Sequence, residues 1–117
     1  MRAADARVVL VTTPDVESAR RIARALVEER QAACGNIVPG VTSIFRWQGA
    51  VQEQAEALLV LKTSAERMSG LSSRIAELHP YDVPEVLALP VDQGSGSYLE
   101  WLGACLAPGG EDDESQA

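Results

Sequence analysis

The sequence predicts an α+β fold with the element order βαββαβ and one further helix at its C-terminal end. Three observations support this fold class: apolar runs of strand type open and close the pattern, two segments between them repeat apolar residues at helical spacing, and the middle third is almost continuously extended. The chain of 117 residues fits one domain. We expect residues 1–106 to form this domain and residues 107–117 to form a disordered acidic tail.

The first predicted strand, Val8–Thr12, is continuously apolar and β-branched, as a central strand should be. A helix start follows at Thr13-Pro14-Asp15, where a capping hydroxyl precedes a proline suited to the first turn and an acid favoured at the positive end of the helix dipole. The next residues repeat at helical spacing with one apolar stripe, which consists of Val16, Ala19, Ile22, Ala23, Leu26 and Val27.

A long hairpin occupies the middle third of the chain. Asn36–Trp47 and Ala50–Thr63 are extended arms joined by a tight turn at Gln48-Gly49, and Pro39-Gly40 predicts a bend or bulge in the first arm. Each arm would span roughly 40 Å at about 3.3 Å per residue, whereas a domain of about 100 residues has a radius of gyration of about 13 Å. The hairpin should therefore project beyond its own domain.

Apolar side chains on this hairpin predict oligomerisation. Ile44, Phe45 and Trp47 lie in the projecting part, where they need cover, and another copy of the same chain would provide it. We therefore assign these three residues to a subunit interface. Trp47 could alternatively stack on a ligand, although tryptophan is favoured at subunit contacts.

Two further helices and a strand complete the pattern. Thr63–Glu66 and Ser97–Glu100 resemble capping boxes, each of which opens a helix. The first of these helices ends at His79-Pro80, since the residue before a proline avoids helical angles, and the second runs through Leu106. Between them, Pro84–Val91 is bounded by prolines, which indicates an edge strand or a short strand. The apolar stripes of the two helices are Met68, Leu71, Ile75 and Leu78, and then Leu99, Leu102 and Leu106.

The order βαββαβ is the split βαβ, or ferredoxin-like, arrangement. Two right-handed crossovers would place both long helices on one face of a four-stranded antiparallel sheet. The other face would be left bare, which is a second reason to expect a partner chain. Because this arrangement hosts enzymes, RNA binders, metal carriers and sensors, function has to be argued from particular residues.

Composition and motifs argue against several function classes. The net charge of −7 and the lack of stacking aromatics in the central strands make nucleic acid an unexpected partner. No apolar run reaches the length of about 18 residues that a membrane span needs, and we expect a cytoplasmic protein. The two cysteines, Cys34 and Cys105, form neither a disulfide framework nor a CxxC site. The single histidine stands in no catalytic spacing, so we expect no enzyme.

Five separated groups of residues carry a resemblance to a known family. They are Ala32–Gly49, Glu56 with Leu61-Lys62-Thr63, His79-Pro80-Tyr81 with Pro84-Glu85-Val86, Leu89-Pro90-Val91, and Tyr98–Leu102. Together they closely resemble the signature of the CutA family, the divalent-cation tolerance proteins. The resemblance runs from about Val8 to Leu106, and several motifs in the right order make it more specific than any single pattern.

The resemblance implies a tight homotrimer built through the long hairpins and a non-enzymatic role in the response to metal ions, copper among them. The family is also similar in fold and assembly to the PII signalling proteins. This suggests, as an alternative, a sensor that holds a small anionic metabolite in clefts between subunits. A third class is a structural module that organises partners. Some family members carry a cysteine in the first strand that has been offered as a copper ligand, whereas this chain has Val11-Thr12 there.

The candidate metal ligands are His79, Glu85 and Cys34, for a divalent ion such as copper as the only cofactor. His79 could bind through a neutral ring nitrogen or could help to satisfy the last carbonyls of its helix. Cys34 could bind as a thiolate or could be a small buried hydrophobe. A complete site would need further carboxylates or a neighbouring chain.

The candidate residues of a ligand cleft are Glu56, Lys62, Tyr81 and Trp101. Glu56 and Lys62 share one face of a predicted strand, on which they could line a cleft between subunits. Lys62 could instead pair with a surface acid. Tyr81 lies near His79 and Glu85 in sequence, and these residues with Lys62 form the best candidate polar cluster.

Overall fold

A computed structural model describes residues 1–109 and contains, in that part of the chain, a four-stranded sheet and three α-helices. All paired strands are antiparallel, and their order in the sheet is β2-β3-β1-β4. The predicted ferredoxin-like α+β fold is confirmed. Most of the predicted tail, residues 110–117, lies outside the described residues. The elements are β1 (Ala6–Thr13), α1 (Val16–Glu28), β2 (Cys34–Trp47), β3 (Ala50–Ser64), α2 (Met68–Leu78), β4 (Leu87–Pro90) and α3 (Gly96–Leu106).

The hydrophobic core lies between one face of the sheet and helices α1 and α2. The apolar stripes predicted for the helices are confirmed, apart from Val27, which is 39% exposed. A second, smaller cluster joins α3 to the start of β2 through Ala33, Leu102 and Leu106. The main core includes Val9, Val11, Leu59 and Leu61 from the strands and Ile22, Leu26, Leu71 and Ile75 from the helices.

The cap of α1 is Asp15, and the predicted capping role of Thr13 is wrong. The Asp15 carboxylate accepts a hydrogen bond of 2.7 Å from the Ser18 N–H, and this bond lowers the pKa of Asp15 below its usual value. Thr13 is still part of β1, where it pairs with Ala57, and its hydroxyl donates to the Asp15 carbonyl. Pairing with β3 therefore keeps Thr13 in β1, so the strand includes the residue that was predicted to cap the helix.

The other two predicted caps are each displaced by one or two residues. Ser64, rather than Thr63, accepts from the Arg67 N–H and opens the turn that leads into α2. Thr63 is buried in β3, and its hydroxyl donates to the Gln31 carbonyl over 2.6 Å. At α3, Ser95 accepts from the Tyr98 N–H.

The hairpin projects beyond the domain, as predicted. Strand β3 pairs with β1 over Ala57–Ser64, whereas Ala50–Glu56 pairs with β2 alone. The molecule is accordingly elongated, with extents of 46 × 26 × 26 Å. The turn has positive φ angles at Gln48 (51°) and Gly49 (81°), which is the conformation that joins two strands most tightly.

The predicted bulge at Pro39-Gly40 is present, and it changes which side chains of β2 share a face. After the bulge, Val41 rather than Gly40 lies opposite Glu56, so β2 contains one extra residue, and Gly40 there has a φ of 73°. Because side chains alternate along a strand, the extra residue turns Phe45 and Trp47 to the face that carries Glu56.

The face of the sheet opposite the core remains apolar and incompletely covered. Leu87 and Leu89 on the edge strand β4 are 58% and 49% exposed. This strand is shorter than the predicted Pro84–Val91, but its edge position is confirmed. The register places four partly buried residues on the same face: Val8, Leu10, Leu58 and Val60.

Gly35 lies where α1 approaches β2 closely, and a side chain there should be destabilising. An added Cβ would lie 3.1 Å from Leu61 Cδ2 and 3.2 Å from Ala23 Cβ, both of which are buried. We expect Gly35→Ala to lower the free energy of unfolding by about 1–3 kcal/mol, measured in urea at equal protein concentration. The matched control is Gly96→Ala, where an added Cβ meets no atom within 4 Å. An equal loss in both variants would contradict the close contact.

Candidate functional site

A cleft of about 780 Å³ lies between the projecting half of the hairpin and the loop that joins α2 to β4. One wall is the strand face that carries Phe45, Trp47 and Glu56, and the other is formed by residues 80–83 and Glu85. The cleft exists because β1 ends at Thr13 while β3 continues outward, which leaves the hairpin face open beside the loop.

His79 fixes the loop to the end of β1. Its side chain is buried, its Nε2 lies 2.8 Å from the Thr12 carbonyl oxygen, and its Nδ1 lies 3.1 Å from the Tyr81 nitrogen. A carbonyl only accepts and a backbone N–H only donates, so these partners assign a neutral ring with its proton on Nε2. Both ring nitrogens are therefore occupied, and the ring contacts a strand carbonyl rather than the last carbonyls of α2.

Glu56 and Tyr81 meet at the base of the cleft. The Tyr81 hydroxyl donates a hydrogen bond of 2.7 Å to Glu56 Oε2, although 25 residues separate the two in sequence. Burial, followed by the hydrogen bond and negative charge of Glu56, raises the pKa of Tyr81 to about 12. Tyr81 therefore remains a hydrogen-bond donor at neutral pH.

The predicted ligand cleft is only partly assembled within one subunit. The structure brings Glu56 and Tyr81 together, but it places Lys62 and Trp101 elsewhere. Lys62 donates to the Asn36 side chain, and Trp101 lies on α3 against Tyr98, with ring centroids 5.5 Å apart. The separation of Glu56 from Lys62 along a straight strand explains this, since six residues span about 20 Å.

The three candidate metal ligands do not form one site in a subunit. Cys34 lies by Tyr98, with Sγ 3.6 Å from the hydroxyl, whereas Glu85 lines the cleft and His79 is fully hydrogen-bonded. Within residues 1–109, no group of three His, Cys, Asp or Glu side chains is placed to hold a metal ion. The donor set therefore does not fit a metal centre built by one chain alone.

Sequence reasoning missed several contributors to the cleft, and three of them bear on its chemistry or geometry. Thr12 supplies the carbonyl that holds His79, Asp82 adds a carboxylate to the lining, and Phe45 lies in the cleft wall as well as on the exposed hairpin. The position of Phe45 could have been inferred from the sequence, because the predicted bulge reverses which side chains of β2 lie on each face of the sheet. The other two contacts depend on where the loop crosses the end of β1.

The family comparison agrees with this fold. A family model described as CutA1 divalent ion tolerance protein matches residues 7–105. The chain belongs to the CutA1 family. It is 58% identical over 95 residues to the divalent-cation tolerance protein CutA of Thermus thermophilus, an alignment that covers 81% of this chain and 92% of that protein. It is 46% identical over 92 residues to the human protein CutA, which covers 79% of this chain and 52% of the human protein. The chain thus spans about half the length of its human relative.

Solved structures of family members are closely similar. The structure of the divalent cation tolerance protein from Thermus thermophilus aligns with a TM-score of 0.82 at 57% identity, over 83% of this chain and 94% of that one. The structure of CutA1 from Oryza sativa aligns with a TM-score of 0.85 at 44% identity, over 88% and 94% of the two chains. Among the described residues of this CutA1-family chain, no helix combines the length and apolarity needed to cross a membrane.

Both tyrosines of the chain should ionise late in an alkaline titration. Burial raises the pKa of Tyr98 to about 12, as it does for Tyr81, and these are the only tyrosines in the sequence. In the unfolded chain both should titrate near about pH 10. The raised values stabilise the fold fully below about pH 10, and this contribution is lost as the pH rises towards about 12.

Tyrosinate ultraviolet absorbance measures this directly. We expect native protein to show little ionisation at pH 10, whereas urea-unfolded protein is about half ionised there. Tyr81→Phe should remove one of the two late-titrating groups. A native midpoint at the ordinary tyrosine value would contradict the buried environment of both hydroxyls.

Proposed function

We propose that the protein acts as a homotrimer, without catalysing a reaction, in the tolerance of or response to divalent cations, copper among them. The projecting hairpin is the observation that carries this proposal. Ile44 is 67% exposed and Trp47 is 50% exposed in the single chain, and both lie where β1 no longer covers the hairpin. Burying such side chains against sister chains would be favourable. The number of three subunits is what the family resemblance implies.

The bare face of the sheet supports the same assembly. Leu87 and Leu89 stand exposed on the edge strand β4, next to the partly buried Val8 and Leu10. Sister chains that clasp the hairpins could cover this face as well. The two apolar surfaces together favour a permanent assembly over a transient contact.

The non-enzymatic part of the proposal is supported by the state of the only histidine in the sequence. Both nitrogens of His79 are used to hold the loop, so the ring is not available as a general base unless the loop is released. The names of the relatives describe tolerance of divalent cations rather than a reaction.

Any direct copper binding would draw on groups other than His79. The carboxylates of Glu85 and Asp82 face the cleft, and a neighbouring subunit could add further donors. The PII-like alternative, in which an anionic metabolite occupies the cleft, lacks support because Lys62 lies outside the cleft and three carboxylates line it.

The cytoplasmic location stays a prediction. The names of relatives point to several compartments: the protein from Arabidopsis thaliana is called chloroplastic, and the solved structure from Archaeoglobus fulgidus is described as periplasmic.

Replacing Trp47 with Asp tests the assembly. A charge at this exposed apolar position would be costly to bury, so we expect the mass measured by light scattering to fall from that of a trimer towards that of a monomer. Val27→Asp is the control, because Val27 is also partly exposed but lies on α1, outside the projecting half of the hairpin. An unchanged mass for Trp47→Asp would remove this residue from the interface.

Growth in the presence of copper tests the biological role. Deleting the gene in its host should lower the concentration of CuSO₄ that halves growth, while the response to MgSO₄ stays the same. A plasmid with the wild-type gene or with Val27→Asp should restore tolerance, and one with Trp47→Asp should not. Equal copper sensitivity of the deletion strain and the parent would contradict the role.

A further inference from the structure

One buried carboxylate of the hairpin lacks a counter-cation within its own chain. Glu56 is only 8% exposed, and its hydrogen-bond partner is the neutral hydroxyl of Tyr81, which binds Oε2. No hydrogen bond or ion pair formed by the side chains of residues 1–109 involves Oε1. Because buried charges in proteins are normally paired, the arrangement around Glu56 is incomplete in a single chain.

One cation of the same hairpin also lacks a partner within its own chain. Arg46 is exposed, and its side chain forms no ion pair and donates no hydrogen bond within residues 1–109. Each of the other nine lysines and arginines of the sequence contacts a carboxylate, an amide oxygen or a backbone carbonyl. Any of those nine would reach a new acid only by giving up its present contact.

The two groups cannot pair within one chain. Arg46 lies opposite Val51 in the hairpin, and the five positions from Val51 to Glu56 span about 17 Å of strand. Because side chains alternate along a strand, this odd number of positions places Arg46 and Glu56 on opposite faces of the hairpin. The guanidinium and the carboxylate are therefore complementary only between two copies of the chain.

The surroundings of the two groups also match. Val51, which shares a face with Arg46, is 64% exposed, and the exposed rings of Phe45 and Trp47 share a face with Glu56. A guanidinium stacks favourably on aromatic rings, and the stem of an arginine packs against apolar surface. The part of the cleft lining that residues 1–109 form contains no lysine or arginine, so an incoming cation would meet no like charge there.

We propose that Arg46 of one chain enters the cleft of a sister chain in the assembly and binds Glu56 Oε1 there. This inference rests on the proposed homotrimer, in which sister chains cover the hairpin, so the missing cation comes from a sister chain. The contact joins one face of a hairpin to the opposite face of the next hairpin. Such a contact is heterologous, and heterologous contacts can close into a ring. Each of the three clefts of the trimer then receives one arginine.

Subunit exchange tests the pairing. Trimers with and without ¹⁵N labelling are mixed, and native mass spectrometry follows the formation of mixed trimers. Removing one member of a buried charge pair leaves the other without a partner, which mainly accelerates dissociation. We expect Arg46→Ala and Glu56→Gln each to accelerate exchange at least about tenfold. The double variant should exchange no faster than the faster single variant, because both changes remove the same contact.

Glu53→Gln and Arg20→Ala are the matched controls. Glu53 is an exposed acid on the face of the hairpin that carries Arg46, and Arg20 is paired with Glu17 on the surface of α1. Neither change removes a member of the proposed pair, so exchange should keep the wild-type rate. Circular dichroism and light scattering of each variant establish that fold and mass are retained. Equal acceleration by Glu53→Gln and Arg46→Ala would assign Arg46 to the acid of its own face.

A cross-link tests the geometry. In a chain whose two native cysteines are replaced by alanine, Arg46→Cys and Glu56→Cys place one thiol on each face of the hairpin. A bismaleimide whose spacer is shorter than about 17 Å should join these positions only between chains. Repeated head-to-tail linkage should give a covalent trimer on a denaturing gel, whereas a variant with a single cysteine can give at most a covalent dimer.

Three outcomes would overturn the pairing while the homotrimer stands. The first is exchange of Arg46→Ala at the wild-type rate. The second is an acceleration in the double variant equal to the product of the two single accelerations, since independent contacts multiply. The third is the absence of a covalent trimer from the doubly substituted chain. A wild-type protein with the mass of a single chain would instead overturn the proposed homotrimer, and this inference with it.

Discussion

One extra residue in β2 determines which side chains of that strand line the cleft. Without the bulge at Pro39-Gly40, the alternation of the strand would direct Phe45 and Trp47 away from Glu56. With it, two aromatic rings and a buried carboxylate share a face. The bulge itself depends on a proline that cannot donate to the ladder and a glycine that adopts a φ of 73° without strain. Local backbone chemistry thus sets the character of a site further along the same strand.

The second constraint is the different length of two neighbouring strands. Strand β1 ends at Thr13, and its last carbonyls become available to the loop that follows α2. His79 binds one of them and aligns Tyr81 so that its hydroxyl reaches Glu56 just beyond the end of β1. The histidine therefore acts as a structural link between helix, strand and loop. This structural role explains the histidine of the His79-Pro80-Tyr81 motif at least as well as metal binding would.

Membership of the CutA1 family and the acidic cleft address different questions. The family establishes the fold and a connection with divalent-cation tolerance, whereas the lining of the cleft determines which chemical groups could enter it. Its carboxylates and aromatic rings are arranged in a way that disfavours anions and, within residues 1–109, offers a metal ion few converging donors. The exposed apolar side chains of the hairpin, which also form one wall of the cleft, and the bare sheet face are the basis of the proposed assembly.

Properties of neighbouring residues in the sequence determined where the helices and strands form. Alternation along the hairpin, a turn that needs positive φ at Gln48-Gly49, and the helical stripes each depend on neighbouring residues, so they could be predicted. Tertiary structure decided which of several adjacent hydroxyls caps a helix, because strand pairing holds Thr13 and Thr63 in β-sheet. It also decided that Glu56 forms a hydrogen bond with Tyr81, and Lys62 with Asn36. Such partners depend on the register of the strands and on the path of the loops, and the spacing of residues along the chain does not determine them.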